Sequence, residues 1–202
     1  MVVEKNNKFD AVYTLLDVGN GYIAARSAMQ HGVSNKHLQR MTDQGLIERV
    51  AHGLYASGDT FPDPYFIAQF RCYKGVFSHE TALFLHDFSD REPLRLMMTI
   101  PTGWNTRILT DESMMFFYTA PRRAEYGVCE VETPLGMNVR AYNMERTLCD
   151  CVINIDRLDR DIVITAIKRY ARSPMRDVAK LLEYATEFNI RDIMYRYMEV
   201  LV

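Results

Sequence analysis

The stretch that decides the fold at the start of the chain covers residues 22–57 and reads YIAARSAMQHGVSNKHLQRMTDQGLIERVAHGLYAS. Its first part, residues 24–31, is a helix-competent run, and Ser34 is a residue type that caps the start of a second helix reaching to about Gln44. A glycine follows each helix, at Gly32 and Gly45. Two short helices joined by a glycine turn predict a helix-turn-helix.

A hairpin is predicted directly after the second helix. Residues 46–51 and 54–56 have the composition of strands, and they are joined at His52-Gly53, where glycine can adopt the positive φ of a tight turn. Two helices followed by a hairpin are arranged in the order of a winged helix-turn-helix, with the hairpin as the wing.

The second predicted helix has two chemically different faces when each residue is advanced by about 100°. Leu38 and Met41 fall on one side, with His37 at its edge. The other side is polar and carries Asn35, Lys36, Gln39, Arg40 and Asp43. Four of these side chains are of types that read base edges or bind phosphates in a major groove. The alternative is a polar face that is simply solvated.

The expected DNA contacts differ between the second helix and the hairpin. Ser34 and the backbone amides at the helix start would anchor a phosphate, and the polar face behind them would enter the major groove. Arg49 and His52 would follow the adjacent backbone or minor groove. The predicted DNA-binding residues are Arg26, Ser34, Asn35, Lys36, Gln39, Arg40, Arg49 and His52.

Composition is typical of a globular protein of one large domain or two small ones. The chain has 202 residues, of which 48% are hydrophobic and 25% charged, and it holds no apolar run long enough to span a bilayer. Residues 1–8 are polar and show no signal peptide, so a soluble, cytoplasmic protein is expected. The four cysteines lack the paired spacing of a zinc site and are expected to be reduced and mostly buried.

Charge is unevenly distributed along the chain. The net charge is −2, which argues mildly against a simple DNA clamp. Residues 21–56 nevertheless carry four cations against two carboxylates, a net charge of +2. Residues 157–176 carry six cations against two carboxylates, a net charge of +4. This basic cluster is either a solvated helix face or a candidate contact for DNA or an acidic partner; its cations are Arg157, Arg160, Lys168, Arg169, Arg172 and Arg176.

A turn-rich connection with two prolines at residues 59–64 predicts a domain boundary, with a winged helix-turn-helix at 1–58 and a second domain at 59–202. The second domain is predicted to contain a small sheet and several helices, so the fold class is α+β. Helices are expected over 65–73 and 78–86, strands over 94–100, 113–119, 127–132 and 137–142, and further helices from Asn143, Asp159 and Ser173 and over 189–202.

Signals for catalysis are weak. His79 and His86 are seven residues apart, whereas a zinc-protease helix needs two histidines four apart. No phosphate-binding loop, nucleophile elbow or dinucleotide loop occurs. Several carboxylates could in principle hold a metal, but charged helix ends explain them as well; they are Asp87, Asp90, Glu92, Asp156, Asp159 and Asp161. The expectation is a protein without enzymatic activity, cofactor or metal. Trp104 is expected on a loop, where it would anchor a partner or cover a strand edge.

Three segments together resemble the AbiEi antitoxins of bacterial abortive-infection toxin-antitoxin systems, over most of the chain from about Phe9 to the last helix. They are GLIERVAHGLY at 45–55, SHETAL at 78–83 and ERTLCD at 145–150. One departure is His52, because the wing tip of the family often has arginine before the glycine. Arg146 and Asp150 are four residues apart and able to pair on a helix, so the third segment is expected to determine the fold.

The resemblance implies that the two domains have different functions. An N-terminal domain of this family binds inverted repeats in the promoter of its own operon and represses it, and the C-terminal domain supplies antitoxicity in phage resistance. The cognate toxin is similar to a nucleotidyltransferase acting on RNA. The pair is classed as type IV, in which toxin and antitoxin need not form a stable complex.

Two alternatives belong to other classes of protein. Winged helices also serve as docking modules, and an overall acidic chain is compatible with protein interaction without DNA binding. A metal-dependent hydrolase or transferase on the second domain would use the acidic residues and would bind divalent ions tightly.

Overall fold

The computed structural model describes residues 3–104 and 112–201, and these residues form a mixed α+β structure with two small sheets. Internal contacts divide the chain into two compact units, 1–71 and 72–202. This division falls later in the sequence than the predicted boundary after residue 58, because one more helix packs with the first unit.

The first unit contains four helices and three strands. In chain order they are α1 (Val3–Val18), β1 (Tyr22–Ala24), α2 (Ala25–Gln30), α3 (Asn35–Asp43), β2 (Ile47–Ala51), β3 (Leu54–Ser57) and α4 (Pro64–Arg71). The predicted pair of short helices and the following hairpin are therefore present. The prediction did not include α1 or β1.

The three strands form an antiparallel sheet in the order β1-β3-β2. The hairpin closes at Gly53, which has a φ of +76° and nothing within 4 Å of the position that a Cβ would take. Its register shifts between Arg49 and Ala51. A core under the sheet is formed by Val12, Leu16, Ile23, Ala28, Val33, Leu38, Met41, Ile47 and Tyr55.

Helix α4 belongs to the first unit because its start is tied to β1. The backbone N–H of Asp63 donates to the Tyr22 hydroxyl at 2.7 Å, and the Tyr22 and Phe66 rings pack with their centroids 4.7 Å apart. The Asp63 carboxylate accepts from the backbone N–H groups of Tyr65 and Phe66, as a helix cap does. The proline-rich connection is thus the capped start of a helix.

Among its described residues, the second unit contains five strands and the remaining helices. They are β4 (Val76–Phe77), α5 (His79–Leu85), β5 (Leu96–Pro101), β6 (Met114–Thr119), α6 (Pro121–Ala124), β7 (Val128–Glu132), β8 (Asn138–Tyr142), α7 (Met144–Ile153), a 3-10 turn (Ile155–Arg157), α8 (Arg160–Arg172), α9 (Val178–Glu187) and α10 (Arg191–Leu201). The predicted closing helix ends at Val202, which lies outside the described residues.

The sheet of the second unit has the order β6-β5-β4-β8-β7. Strands β5 and β6 pair in parallel, as do β4 and β8, whereas β4 with β5 and β7 with β8 are antiparallel. The central strand β4 is only two residues long and was not predicted. Helices α7, α8, α9 and α10 pack into one hydrophobic core with the end of α5.

A buried ion pair joins the start of α7 to the chain before it. The Arg146 side chain is 1% exposed, and its Nε donates to both carboxylate oxygens of Asp150 at 3.0 Å. Its Nη1 donates to the carbonyls of Arg123 at 2.9 Å and Tyr126 at 3.0 Å. The guanidinium also lies 4.2 Å from the ring centroid of Tyr142. The expected pairing of Arg146 with Asp150 is confirmed.

We expect Arg146→Met to lower the free energy of unfolding by about 3 to 5 kcal/mol, because Asp150 and two carbonyls lose their donor inside the protein. The double variant Arg146→Met/Asp150→Leu should recover part of this loss, since it removes the unpaired carboxyl as well. Urea unfolding of the full chain measures both.

The matched control is Arg160→Met, which breaks an exposed pair with Asp156 of the same i,i+4 spacing and should change stability by about 1 kcal/mol or less. Equal losses for Arg146→Met and Arg160→Met would show that the buried pair does not hold the fold.

Candidate functional site

Helix α3 has the two faces that its sequence predicts. Leu38 and Met41 are 0% and 1% exposed and belong to the core of the first unit. Four predicted DNA-binding residues lie on the opposite, exposed side; they are Asn35, Lys36, Gln39 and Arg40. The polar face is therefore presented on a helix whose other side is held by the core.

Ser34 does not act as the hydroxyl cap that was predicted. It precedes α3 with an extended backbone, but its side chain makes no hydrogen bond to the backbone N–H groups of the helix. The hydroxyl instead lies 2.8 Å from Nδ1 of His37, one turn later. The cap prediction was wrong because a neighbouring imidazole competes for the same hydroxyl, a contact that residue type alone does not reveal.

Gln39 is held in one orientation by Asp43. Its Nε2 donates to the Asp43 Oδ1 at 2.8 Å, which leaves Oε1 and the second amide hydrogen of Gln39 for other partners. Asp43 is exposed on the same face and places a negative charge there. The face is thus polar and mixed in charge, with Lys36 and Arg40 as its cations.

The hairpin brings further polar side chains next to the start of α2. Arg49 and His52 are both exposed, and Nη2 of Arg49 donates to Nδ1 of His52 at 2.9 Å. The backbone N–H of Ala25 donates to the carbonyl of Gly53 at 2.8 Å, which fixes the start of α2 to the hairpin turn. Arg26, the next residue, is exposed. Arg26 therefore follows the residue that bonds to the turn on which Arg49 and His52 lie.

The basic cluster at residues 157–176 is dispersed in the folded chain. Arg160 pairs with Asp156 and Arg169 pairs with Asp90, both as exposed ion pairs. The Arg157 guanidinium lies 4.3 Å from the ring centroid of Phe117, and Nη1 of Arg176 donates to the Ser173 carbonyl at 3.1 Å. Lys168 and Arg172 are exposed on α8. The six cations thus do not form one uniform patch.

The SHETAL segment is buried and builds part of the core of the second unit. His79 is 1% exposed and has a φ of +53°, a conformation that costs a side chain other than glycine about 1 kcal/mol. Its ring stacks on Phe117 with the centroids 3.6 Å apart. Asn154 Nδ2 lies 3.1 Å from Nε2 of His79, so Nε2 accepts and Nδ1 donates to the Ser78 hydroxyl at 2.8 Å.

The electrostatics of His79 keep its ring neutral. Burial, together with the nearby cations of Arg157 and Arg146, lowers the pKa of His79 to about 3. The next residue, Glu80, accepts a hydrogen bond from the backbone N–H of Asp159 at 2.8 Å. In the ERTLCD segment, Glu145 accepts from the Tyr170 hydroxyl at 2.9 Å. The acids of both segments thus tie helices together.

The remaining residues singled out from the sequence have structural contacts. Trp104 packs edge-on against Tyr73, with the ring centroids 5.5 Å apart. Cys72, Cys149 and Cys151 are buried thiols, and Cys129 is half-buried. Within residues 3–104 and 112–201, no three His, Cys, Asp or Glu side chains are placed to hold a metal ion. No helix among these described residues has the length and apolar character needed to cross a membrane.

Residues 11–58 match a protein family described as "Transcriptional regulator, AbiEi antitoxin". The matched segment contains α2, α3 and the hairpin, and the family that it matches is one of transcriptional regulators. The match supports the resemblance to the AbiEi antitoxins for the segment at 45–55, whereas the segments at 78–83 and 145–150 lie outside the matched residues.

The fold is similar to that in the crystal structure of the RV2827C protein from Mycobacterium tuberculosis. The TM-score is 0.66 at 11% sequence identity, and the similarity covers 93% of this chain and 75% of the other. At this identity the likeness concerns the fold alone. No curated protein matches the sequence.

The depressed pKa of His79 predicts a stability that falls in acid. The unfolded histidine titrates near 6.5 and the folded one near 3, so the unfolded state binds the proton first as the pH falls. The stability contributed by neutral His79 is complete above pH 6.5 and is lost towards pH 3, by about 1.4 kcal/mol per pH unit at most.

Chemical denaturation between about pH 4.5 and 6.5 measures this slope. His79→Asn should flatten it by about one proton, because asparagine does not titrate and tolerates a positive φ. An unaltered slope in His79→Asn would contradict the assignment.

Proposed function

We propose that the first unit is a winged helix-turn-helix that binds inverted repeats in the promoter of its own operon and represses transcription. The observation that carries this proposal is the exposed polar face of α3 beside a hairpin bearing Arg49 and His52. Both lie inside the segment that matches a family of transcriptional regulators. In this reading α3 is the recognition helix and the β2–β3 hairpin is the wing.

The recognition helix would place its N-terminal half in the major groove, as helix-turn-helix proteins do. The amides at the start of α3, next to Ser34, would approach a phosphate together with Lys36 and Asn35. Arg40 would read a guanine edge. Each of these side chains is exposed and stands on a helix held by the buried Leu38 and Met41.

Gln39 suits an adenine. A glutamine that reads adenine donates one amide hydrogen to N7 and accepts from the N6 amino group. The bond from Nε2 to Asp43 uses the other hydrogen and restricts the rotation of the amide, so the bidentate edge is set before DNA arrives. Asp43 is then a positioning residue. It also places a negatively charged carboxylate close to the DNA phosphates, which opposes binding.

The wing would contribute contacts outside the major groove. Arg49 and His52 lie at the hairpin turn and Arg26 follows the residue that bonds to it, and polar side chains in this place of a winged helix meet the adjacent backbone or minor groove. The hydrogen bond from Arg49 to His52 keeps the two side chains side by side.

The second unit would counteract a nucleotidyltransferase-like toxin without catalysis of its own and without a necessarily stable complex. The support is the similarity of residues 11–58 to the AbiEi antitoxins and the resemblance of the SHETAL and ERTLCD segments to that family, together with a folded second unit that has its own core. The exposed Lys168 and Arg172 on α8 remain candidate contacts for DNA or an acidic partner.

Fluorescence anisotropy with the DNA upstream of the gene, over a salt series and with scrambled DNA as competitor, tests the repressor. Arg40→Ala should weaken binding to the specific site by about 1 to 3 kcal/mol and relax its sequence preference. Lys36→Ala should weaken binding to all sequences alike and reduce the salt slope by about 1. Arg191→Ala removes one exposed cation from the second unit and is the control for net charge.

If both α3 variants kept the affinity and the salt slope of the unaltered protein, α3 would not be the recognition helix. Salt-insensitive binding to a protein partner without DNA affinity would favour the docking module instead.

The two proposed activities should be separable. We expect Lys36→Ala/Arg40→Ala to derepress a promoter reporter while the same chain still protects cells that express the cognate toxin, because both changes are exposed and leave the core of the first unit intact. Growth rescue and reporter activity in the same strain measure both effects. Loss of protection at equal protein level would show that antitoxicity acts through DNA binding.

A further inference from the structure

The hairpin of the first unit contains a β-bulge just before its turn. The pairing of β2 with β3 shifts by one residue between Arg49 and Ala51, so Val50 has no counterpart in β3. In a regular strand, side chains three residues apart point to opposite faces of the sheet. A bulge changes this alternation, and here Nη2 of Arg49 lies 2.9 Å from Nδ1 of His52. The two exposed side chains thus meet on one side of the hairpin.

The contact fixes which nitrogen of the His52 ring carries the hydrogen. A guanidinium has N–H donors and no acceptor, so Nδ1 of His52 accepts and carries no hydrogen. The ring then has its hydrogen on Nε2, the nitrogen that does not face Arg49. His31 shows the opposite arrangement, because its Nδ1 lies 3.0 Å from the carbonyl oxygen of Ser27 and must donate. Arg49 therefore selects the Nε2–H tautomer of His52.

The polar atoms that this pair offers to a ligand are all donors. His52 uses one N–H of the guanidinium, which leaves the other N–H groups of Arg49 available, and the ring adds its own Nε2–H. The only acceptor in the pair, Nδ1 of His52, is already engaged. Phosphate oxygens are acceptors, whereas the base edges of the major groove present both donors and acceptors. The pair therefore suits the DNA backbone.

We propose that the wing binds DNA phosphates through Arg49 and His52 acting together, with Arg49 as the charged contact and His52 as an uncharged donor that Arg49 positions. The proposal rests on the proposed DNA binding of the first unit and assigns the wing to the backbone. A charged contact releases counterions from DNA, whereas an uncharged donor does not. Arg49 thus contributes to the salt dependence of binding, and His52 contributes affinity alone.

Salt series with the promoter DNA separate the two contributions. Fluorescence anisotropy is measured at about pH 8, above the range in which an ordinary histidine becomes charged. His52→Ala should weaken binding about tenfold at each salt concentration and leave the salt slope unchanged. Arg49→Met should also weaken binding and should reduce the slope by about 1. Arg191→Ala is again the control for net charge.

Combined and conservative variants test the positioning role of Arg49. Arg49→Met also releases His52, so Arg49→Met/His52→Ala should lose less affinity than the product of the two single losses. His52→Gln should keep most of the affinity, because the amide N–H of glutamine can take the place of Nε2–H. His52→Asn is the matched control, since its shorter amide takes the place of Nδ1 and should not restore binding.

The tautomer can be measured without DNA. In long-range proton–nitrogen NMR spectra of the full chain at the same pH, His52 should carry its hydrogen on Nε2 and His31 on Nδ1. Arg49→Met should raise the share of the Nδ1–H form of His52 and leave His31 as it is. This result does not depend on whether the chain is a repressor.

Replacing single phosphates of the promoter DNA by uncharged methylphosphonates locates the contact. At one position the replacement should weaken binding of the unaltered protein and remove the further loss that His52→Ala causes elsewhere. Changing A·T pairs near that position to G·C, which adds an amino group in the minor groove, should have no such effect. A loss that follows the base pair and not the phosphate would assign the wing to the minor groove and overturn the proposal.

The outcomes separate this proposal from that of the repressor. Specific promoter binding that His52→Ala leaves unchanged would overturn the wing contact and leave the repressor intact. A salt slope reduced by about 1 in His52→Ala would show a charged contact and overturn it as well. Independent losses in the double variant, or a tautomer that Arg49→Met does not alter, would remove the positioning role of Arg49. No promoter binding by the unaltered protein would refute both proposals.

Discussion

The structure of the second unit depends on the buried guanidinium of Arg146. A cation inside a protein is stable only when it is paired and hydrogen-bonded, and here a carboxylate one turn along α7 and two backbone carbonyls before β7 accept from Nε and Nη1. This fixes α7 against the preceding segment, and with it the position of Asn154, which orients His79. Burial raises the pKa of Asp150 to about 6, while the charge of Arg146 opposes that rise.

The first unit differs in where its polar and charged side chains lie. Its core is small and apolar, and its distinctive groups are outside, on one face of α3 and around the hairpin turn. A rigid helix that presents amide and cationic side chains is useful for reading DNA because the side chains lose little freedom on binding. The net charge of the whole chain is −2 and does not show this arrangement, because the positive charge is concentrated in residues 21–56. In the second unit, the charged side chains of Arg146 and Asp150 are buried, where they stabilise the structure and line a pocket.

The errors of the sequence-based predictions have a common cause. Ser34 has the right type and position for a cap, but His37 takes its hydroxyl. The prolines at 62 and 64 suggested a linker, but Asp63 caps a helix that packs on Tyr22. In each case a partner that is distant in sequence, or a competing neighbour, decided what the residue does.

The sequence by itself determined the elements whose signals are local: the two faces of α3, which follow from helical periodicity, and the hairpin turn at Gly53, which needs a positive φ. It also indicated four of the five strands of the second sheet, because their composition is typical of strands. Only the tertiary structure decided that the two-residue strand β4 is central, that β5 and β6 run parallel, and that His79, Arg146 and Asp150 share one pocket. These features depend on contacts between distant residues, for which a single sequence carries no periodic signal.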